Sequence, residues 1–217
     1  MDPVPLSIAC GPLAIYLVWL GAINLRRRPL VMTGTIDAAG LAVAISGLVA
    51  MGPMNLFLPD AAGRRFGPLA WPLLLAFYAL CVVLYVLVAR PRLVIFNLPL
   101  EQLRPMLEQM ARRLDSDARF AGDAIQLPQL GIQFHLEAAM AMRNVSLVAT
   151  GDRQSHSGWK RLERELKATL AVIEVAPNPR GFTLLAVGVV LIGWPVVELL
   201  QTPSQLVAQQ LRDMLRW

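Results

Sequence analysis

Hydrophobic positions in this chain come in two textures. Four apolar runs, at residues 6–25, 36–58, 69–89 and 181–200, contrast with one long stretch, residues 92–178, in which apolar and polar positions interleave. The run at 69–89 carries no charge and has the roughly twenty residues that an α-helix needs to cross the hydrocarbon core of a bilayer. It ends in Arg90-Pro91-Arg92, where the interleaved stretch begins. The predicted fold class is therefore an α-helical membrane protein of four transmembrane helices with an inserted α+β soluble domain. Residues 1–91 hold three of the helices, 92–178 the domain, and 179–217 the fourth helix with an amphipathic C-terminal helix.

Within the interleaved stretch, residues 93–96 read as a buried strand. Residues 100–114 read as an amphipathic helix with Leu103, Leu107, Met110 and Leu114 along one side. Pro105 suits only a first helical turn, so the regular helix is expected to begin late. Short strands are predicted at 118–121, 124–127, 131–138 and 144–150. Alternation is clearest where Ile132, Phe134 and Leu136 oppose Gln133, His135 and Glu137. A second helix over 158–173 buries Trp159, Leu162, Leu166, Leu170 and Ile173 and takes Ser155 or Ser157 as its N-cap. Its wet side pairs Arg161 with Glu165 and Glu163 with Lys167. Strand, helix, several antiparallel strands, helix suits a small sheet with two helices on one face. A ferredoxin-like arrangement is the nearest common architecture.

Composition agrees: 56% of residues are hydrophobic and 16% charged, against about 45–50% and about 25% in soluble domains. The net charge of +5 is nearly all arginine, placed at the ends of apolar runs and on helices that also carry glutamates. The first run starts with Met1-Asp2-Pro3 and is followed by Arg26-Arg27-Arg28, the reverse of a signal peptide, and is expected to be an uncleaved anchor. The positive-inside rule then puts the central domain in the cytoplasm and both termini outside a bacterial inner membrane. Arg64 and Arg65, in the short outer loop, count mildly against that threading. Asp37 and Glu198 fall near span ends, where ionisation costs little. Asp37 is expected to serve a helix N-terminus beside Thr35, and Glu198 to pair with Arg64, Arg65 or Arg212. Cys10 and Cys81 should differ in depth by about 10 Å, too far for a disulfide within one subunit, and are expected to be packing residues.

Contact surfaces are easier to find than chemistry. Ala38, Ala42, Ser46 and Ala50 repeat at every fourth position, with Gly40, Ala44 and Gly47 beside them, and predict a tight helix–helix contact within or between subunits. Thr202-Pro203-Ser204-Gln205 reads as a helix start. The tail beyond it places Val207, Leu211, Met214 and Leu215 on one side and ends in Trp217, a design for lying in the outer interface or against a neighbouring subunit. There is no phosphate loop, no dinucleotide fingerprint, no histidine pair flanking a glutamate and no Cys-x-x-Cys, so neither cofactor nor metal is expected. Gln133, His135 and Glu137 share one sheet face, expected to be solvated or to bind a partner. Arg112, Arg113, Arg119, Arg143 and Arg153 lack interleaved aromatics, which argues against nucleic acid. The expected function is a non-enzymatic membrane subunit that self-associates or scaffolds a larger assembly, its partners being the bilayer and further copies or other membrane subunits. The alternatives are a channel or transporter subunit with a pore between copies, and a sensor with a ligand-binding cytoplasmic domain.

Overall fold

Each apolar run becomes a helix in the computed structural model, which describes residues 3–54, 69–139, 142–152 and 154–215. They are α1 (Pro3–Leu25), α2 (Gly34–Val49), α3 (Ala70–Val88) and α6 (Arg180–Gln201). All four, α2 taken on to Gly52, are long and apolar enough to cross a membrane. A widened π turn, Ala50–Met54, continues α2 where Pro53 has no N–H to give the preceding turn. The expected end of that span, residues 55–58, lies outside the described residues. So do Arg64, Arg65, Arg153 and Trp217.

Between α1 and α2, and again between α3 and α6, the chain builds the second texture. Its elements are β1 (Leu30–Thr33), β2 (Arg92–Phe96), α4 (Leu100–Leu114), β3 (Arg119–Ala121), β4 (Ala124–Leu127), β5 (Ile132–Ala139), β6 (Asn144–Ala149) and α5 (His156–Ala171). A last helix, α7 (Ser204–Leu215), follows α6. The chain divides into two units: Met1–Leu20, Ala38–Val88 and Thr183–Trp217 form a helical one, and Gly21–Asp37 with Ala89–Phe182 form one built on the sheet.

The sheet runs β1-β2-β6-β5-β4-β3 and every neighbouring pair is antiparallel. Period-two alternation sends Leu93, Ile95, Ile125, Leu127, Ile132, Phe134, Leu136, Val145 and Leu147 into one core. Leu103, Leu107 and Met110 of α4 join them there, with Trp159, Leu162, Leu166 and Leu170 of α5. Two helices on one face of an antiparallel sheet is thus what the structure contains. The ferredoxin-like chain order is corrected: it has two strands between the helices and a final strand after the second. Here four strands follow α4 as a meander and, among the described residues, none follows α5. The chain must leave α5 for the apolar helix α6, and the edge beside β2 is filled from upstream by β1, to which the sequence reading assigned no element.

The late start expected for α4 is also corrected. Backbone bonds from Gln102 and Leu103 to Pro99 O, both 3.1 Å, show the helix under way from Leu100, with Pro105 inside it. Proline removes one N–H, leaving the carbonyl four residues back, that of Glu101, without its helical partner. Glu101 is exposed, where water can take that role.

In the helical unit, small residues set the spacing. Pro12 cannot donate to Ile8, and a Cβ at Gly47 of α2 would run into the freed Ile8 carbonyl. Gly47 therefore lets α2 lie directly on α1. Gly188 does the same for α6: its Cβ would stand 2.9 Å from Ala14 O and 2.7 Å from Val18 Cγ2. α3 joins through Tyr78, whose hydroxyl donates to Ala42 O at 2.6 Å.

Candidate functional site

The outer face of the sheet changes character from strand to strand. On β2, Val94 and Phe96 are buried on the side away from the core helices. On β5 the corresponding side chains are Gln133, His135 and Glu137, half-buried or exposed. Residues two apart on a strand project from the same face, and here they bond to each other. His135 Nε2 lies 2.6 Å from Glu137 Oε1, and its Nδ1 lies 2.9 Å from the Thr150 hydroxyl. A carboxylate only accepts, so Nε2 carries a proton, and in the neutral ring the Thr150 hydroxyl donates to Nδ1. Thr150 is itself fixed: its N–H donates to Gln133 O at 2.8 Å.

Gln154 closes one end of this face. Its Nε2 donates to Gln133 O at 2.9 Å and Thr150 O at 2.6 Å, while its Oε1 accepts from the Trp159 indole at 3.0 Å. Two glycines with positive φ, Gly131 (64°) and Gly151 (82°), turn the chain beside it. The result is an open groove of about 490 Å³ lined by Gln126, Gln133, Thr150, Gly151 and Asp152, among others. Such a surface can exchange hydrogen bonds with a polar ligand or a partner's backbone. Among the described residues no three His, Cys, Asp or Glu side chains converge to hold a metal ion.

A second polar cluster escaped the sequence reading. Asn24, Asn97 and Asn178 are all buried. The Asn178 N–H donates to Asn24 O at 2.9 Å and its side-chain amide to Asn24 Oδ1 at 3.3 Å. The Asn97 amide reaches Arg26 O at 2.8 Å, and Asn97 itself sits at φ 60°, a conformation asparagine tolerates better than most residues. These bonds tie the end of α1 to the segment before α6 and to the β2–α4 corner. Isolated asparagines beside apolar runs carry no periodic signal. The only hint was Asn178 between Pro177 and Pro179.

The remaining predicted residues fall as follows. Ala50 is buried and Ala38, Ala42 and Ser46 half-buried, and beside them Gly47 makes the close approach to α1, while a Cβ at Gly40 would stand 3.7 Å from the Tyr16 ring. Asp37 lies in the first turn of α2 and is paired with Arg92 of β2 at 2.6 Å. Glu198 accepts from the Trp194 indole at 3.1 Å, and no ion pair joins it to Arg212 among the described residues. Cys10 and Cys81 are free thiols. In α7, Val207 is half-buried and Leu211 exposed; Met214 and Leu215 belong to the helix, their side chains outside the described residues. No protein-family profile, curated protein or solved structure matches the chain.

Proposed function

We propose that this chain is a four-span protein of a bacterial inner membrane, with both termini outside and the sheet unit in the cytoplasm. It acts as a non-enzymatic subunit that associates with further copies or anchors a larger membrane assembly. One observation carries this reading. On α3 only Leu74, Tyr78, Val82 and Val86, one ridge at four-residue spacing, are half-buried below the buried start at Ala70 and Trp71. The rest of its circumference, including Leu73, Phe77, Leu80, Leu84 and Leu87, is exposed. Apolar surface on that scale calls for lipid or another apolar helix. The threading is supported by charge: sixteen of the twenty Lys and Arg residues belong to the sheet unit.

Two measurements test it. Membranes washed at alkaline pH should retain the protein, and detergent particles should have the mass of more than one chain; a strict monomer with no co-purifying partner sinks the assembly claim. In a background lacking Cys10 and Cys81, a cysteine at position 62 should be labelled from outside intact cells and one at position 156 should not. The reverse pattern turns the threading inside out.

A second reading, a membrane sensor, is favoured by how strands meet helices. β1 ends at Thr33 and α2 starts at Gly34, and three residues separate α3 from β2. A ligand in the polar groove would act on β5 and the end of β6, and β6 pairs with β2, the strand that follows α3. A small polar ligand that raises the unfolding temperature of the full chain, with the gain lost in His135→Ala, would select this reading.

A further inference from the structure

We propose that the groove between α4 and α5 binds a small zwitterion of the amino-carboxylate class with an apolar side chain. Arg113 and Arg161 take its carboxylate and Glu165 its ammonium group. The site lies wholly within the sheet unit, so it goes beyond the assembly reading and does not rest on it.

α4 and α5 both bury an apolar stripe in the core over the sheet. Between them runs an open cavity of about 330 Å³, lined by residues of these two helices alone. Met106, Met110 and Leu114 line it from α4 at four-residue spacing, on one side of the helix, with Arg113 next to them. Met110 is buried and Met106 and Leu114 are half-buried, which gives the groove an apolar floor. Unbranched thioether side chains adapt to the shape of what lies on them. The facing wall, from α5, is polar: Arg161, Glu165 and Thr169, again four residues apart.

The charges on these walls are not spent on each other. Arg113, Arg161 and Glu165 are exposed, and among the described residues none of them makes an ion pair. The pair expected between Arg161 and Glu165 is therefore corrected. Glu163 precedes Lys167 and bonds to it at 2.6 Å, whereas Arg161 precedes Glu165, the order in which an i,i+4 pair is weaker. One cavity thus carries two guanidinium groups, one from each wall, and a carboxylate one helical turn from Arg161. A planar guanidinium suits carboxylate oxygens, and Glu165 can accept only from a donor. A simple anion would leave Glu165 facing negative charge, and an apolar helix would cover three charges without pairing them. The volume is that of a small-ligand site at the low end of the range. A zwitterion with an apolar side chain answers all three features.

The experiment titrates the full chain in neutral detergent with leucine, glycine, isocaproate or isoamylamine, read by calorimetry and thermal unfolding. Leucine should bind and raise the unfolding temperature. Glycine lacks the apolar side chain, isocaproate the ammonium group and isoamylamine the carboxylate, and each should bind about fivefold more weakly or less. Arg113→Gln and Arg161→Gln should each weaken leucine about fivefold, and Arg113→Lys, which keeps the charge, should lose less. Glu165→Gln should weaken leucine equally but leave isocaproate as it was or tighter. Arg164→Gln, at an exposed arginine of α5 outside the groove, should change nothing. No binding of leucine, equal binding of isoamylamine, or undiminished leucine binding in all three Gln variants of the groove overturns the site. A strictly monomeric particle that binds leucine in this pattern would sink the assembly reading and leave the site standing.

Discussion

The same kinds of side chain are used in opposite ways by the two units. In the sheet unit Phe134, Leu103, Leu107, Leu127, Leu147 and Leu166 are essentially without exposure. In the helical unit Phe77 is 64% exposed and Leu87 76%. Water-soluble proteins keep large apolar residues inside and rarely expose contiguous patches of them. The sheet unit follows that rule by folding two helices over one sheet face. The helical unit economises on contact: glycines at 47 and 188 bring backbones together, and most large side chains are left pointing out. One unit is held together by removal of apolar surface from water, the other by close backbone approach of helices that leave most of their large apolar side chains exposed.

The contrast breaks most readily at a single residue type. Phe134→Ala removes a fully buried ring that sits 5.8 Å from the Trp159 ring. It should destabilise the sheet unit by about 3–5 kcal/mol, measured by denaturant unfolding in detergent. Phe77→Ala, on α3, should change stability in detergent by no more than about 0.5 kcal/mol. Equal losses would mean that α3 is covered by protein, and the particle mass would then show whether the cover is a second copy.

The next effect sharpens what holds the helices. Gly47→Leu forces a side chain into the Ile8 carbonyl, and Gly188→Val into Ala14 and Val18. Overpacking of this kind should cost about 1–3 kcal/mol, seen as a lower unfolding temperature of the helical transition. Gly193→Ala, at a glycine with open space around it, serves as the control and should be neutral. Asn178→Ala belongs to the same range. It removes the side-chain donor to Asn24 Oδ1 and the acceptor of the Arg180 N–H in a buried cluster, for about 1–3 kcal/mol.

How much of this was legible depended on periodicity. Long charge-free runs and alternating strands announce themselves because every residue repeats the signal, so α1, α3, α6, β4 and β5 were readable within a residue or a few. The N-cap Ser155 was readable because its chemistry is local, and its side chain accepts from the Gly158 N–H at 3.2 Å. β1 was not. Four residues, Leu30 to Thr33, between an arginine run and an apolar helix become a strand only because β2 offers them an edge more than fifty residues later. The small-residue stripe was visible, but that Gly47 beside it meets the Ile8 carbonyl depends on the other helix, where Pro12 leaves that carbonyl without its helical donor. The asparagine cluster depends on three residues far apart in sequence. The His135, Thr150 and Glu137 chain needed Thr150, which strand alternation alone could not bring to that ring.

The smallest effect concerns the join between strand and apolar helix. Arg92, first residue of β2, pairs with Asp37 in the first turn of α2, and its stem lies across Gly34, where any Cβ would collide with it. The guanidinium group's side chain is 36% exposed and the aspartate's 20%. Solvent screening keeps such a half-exposed pair modest, so Asp37→Asn should cost about 1 kcal/mol or less. Gly34→Ala should cost a similar amount by displacing the arginine stem, and the two changes should not add, because both act through Arg92. A double-mutant cycle of Asp37→Asn with Arg92→Gln measures the pair directly, and its coupling should shrink as salt is raised. Additive losses for Gly34→Ala and Asp37→Asn would show that the glycine serves the β1–α2 turn and not the ion pair. The ion pair would then be an ornament of this joint, and the continuity of Thr33 into Gly34 would be what ties the sheet to α2.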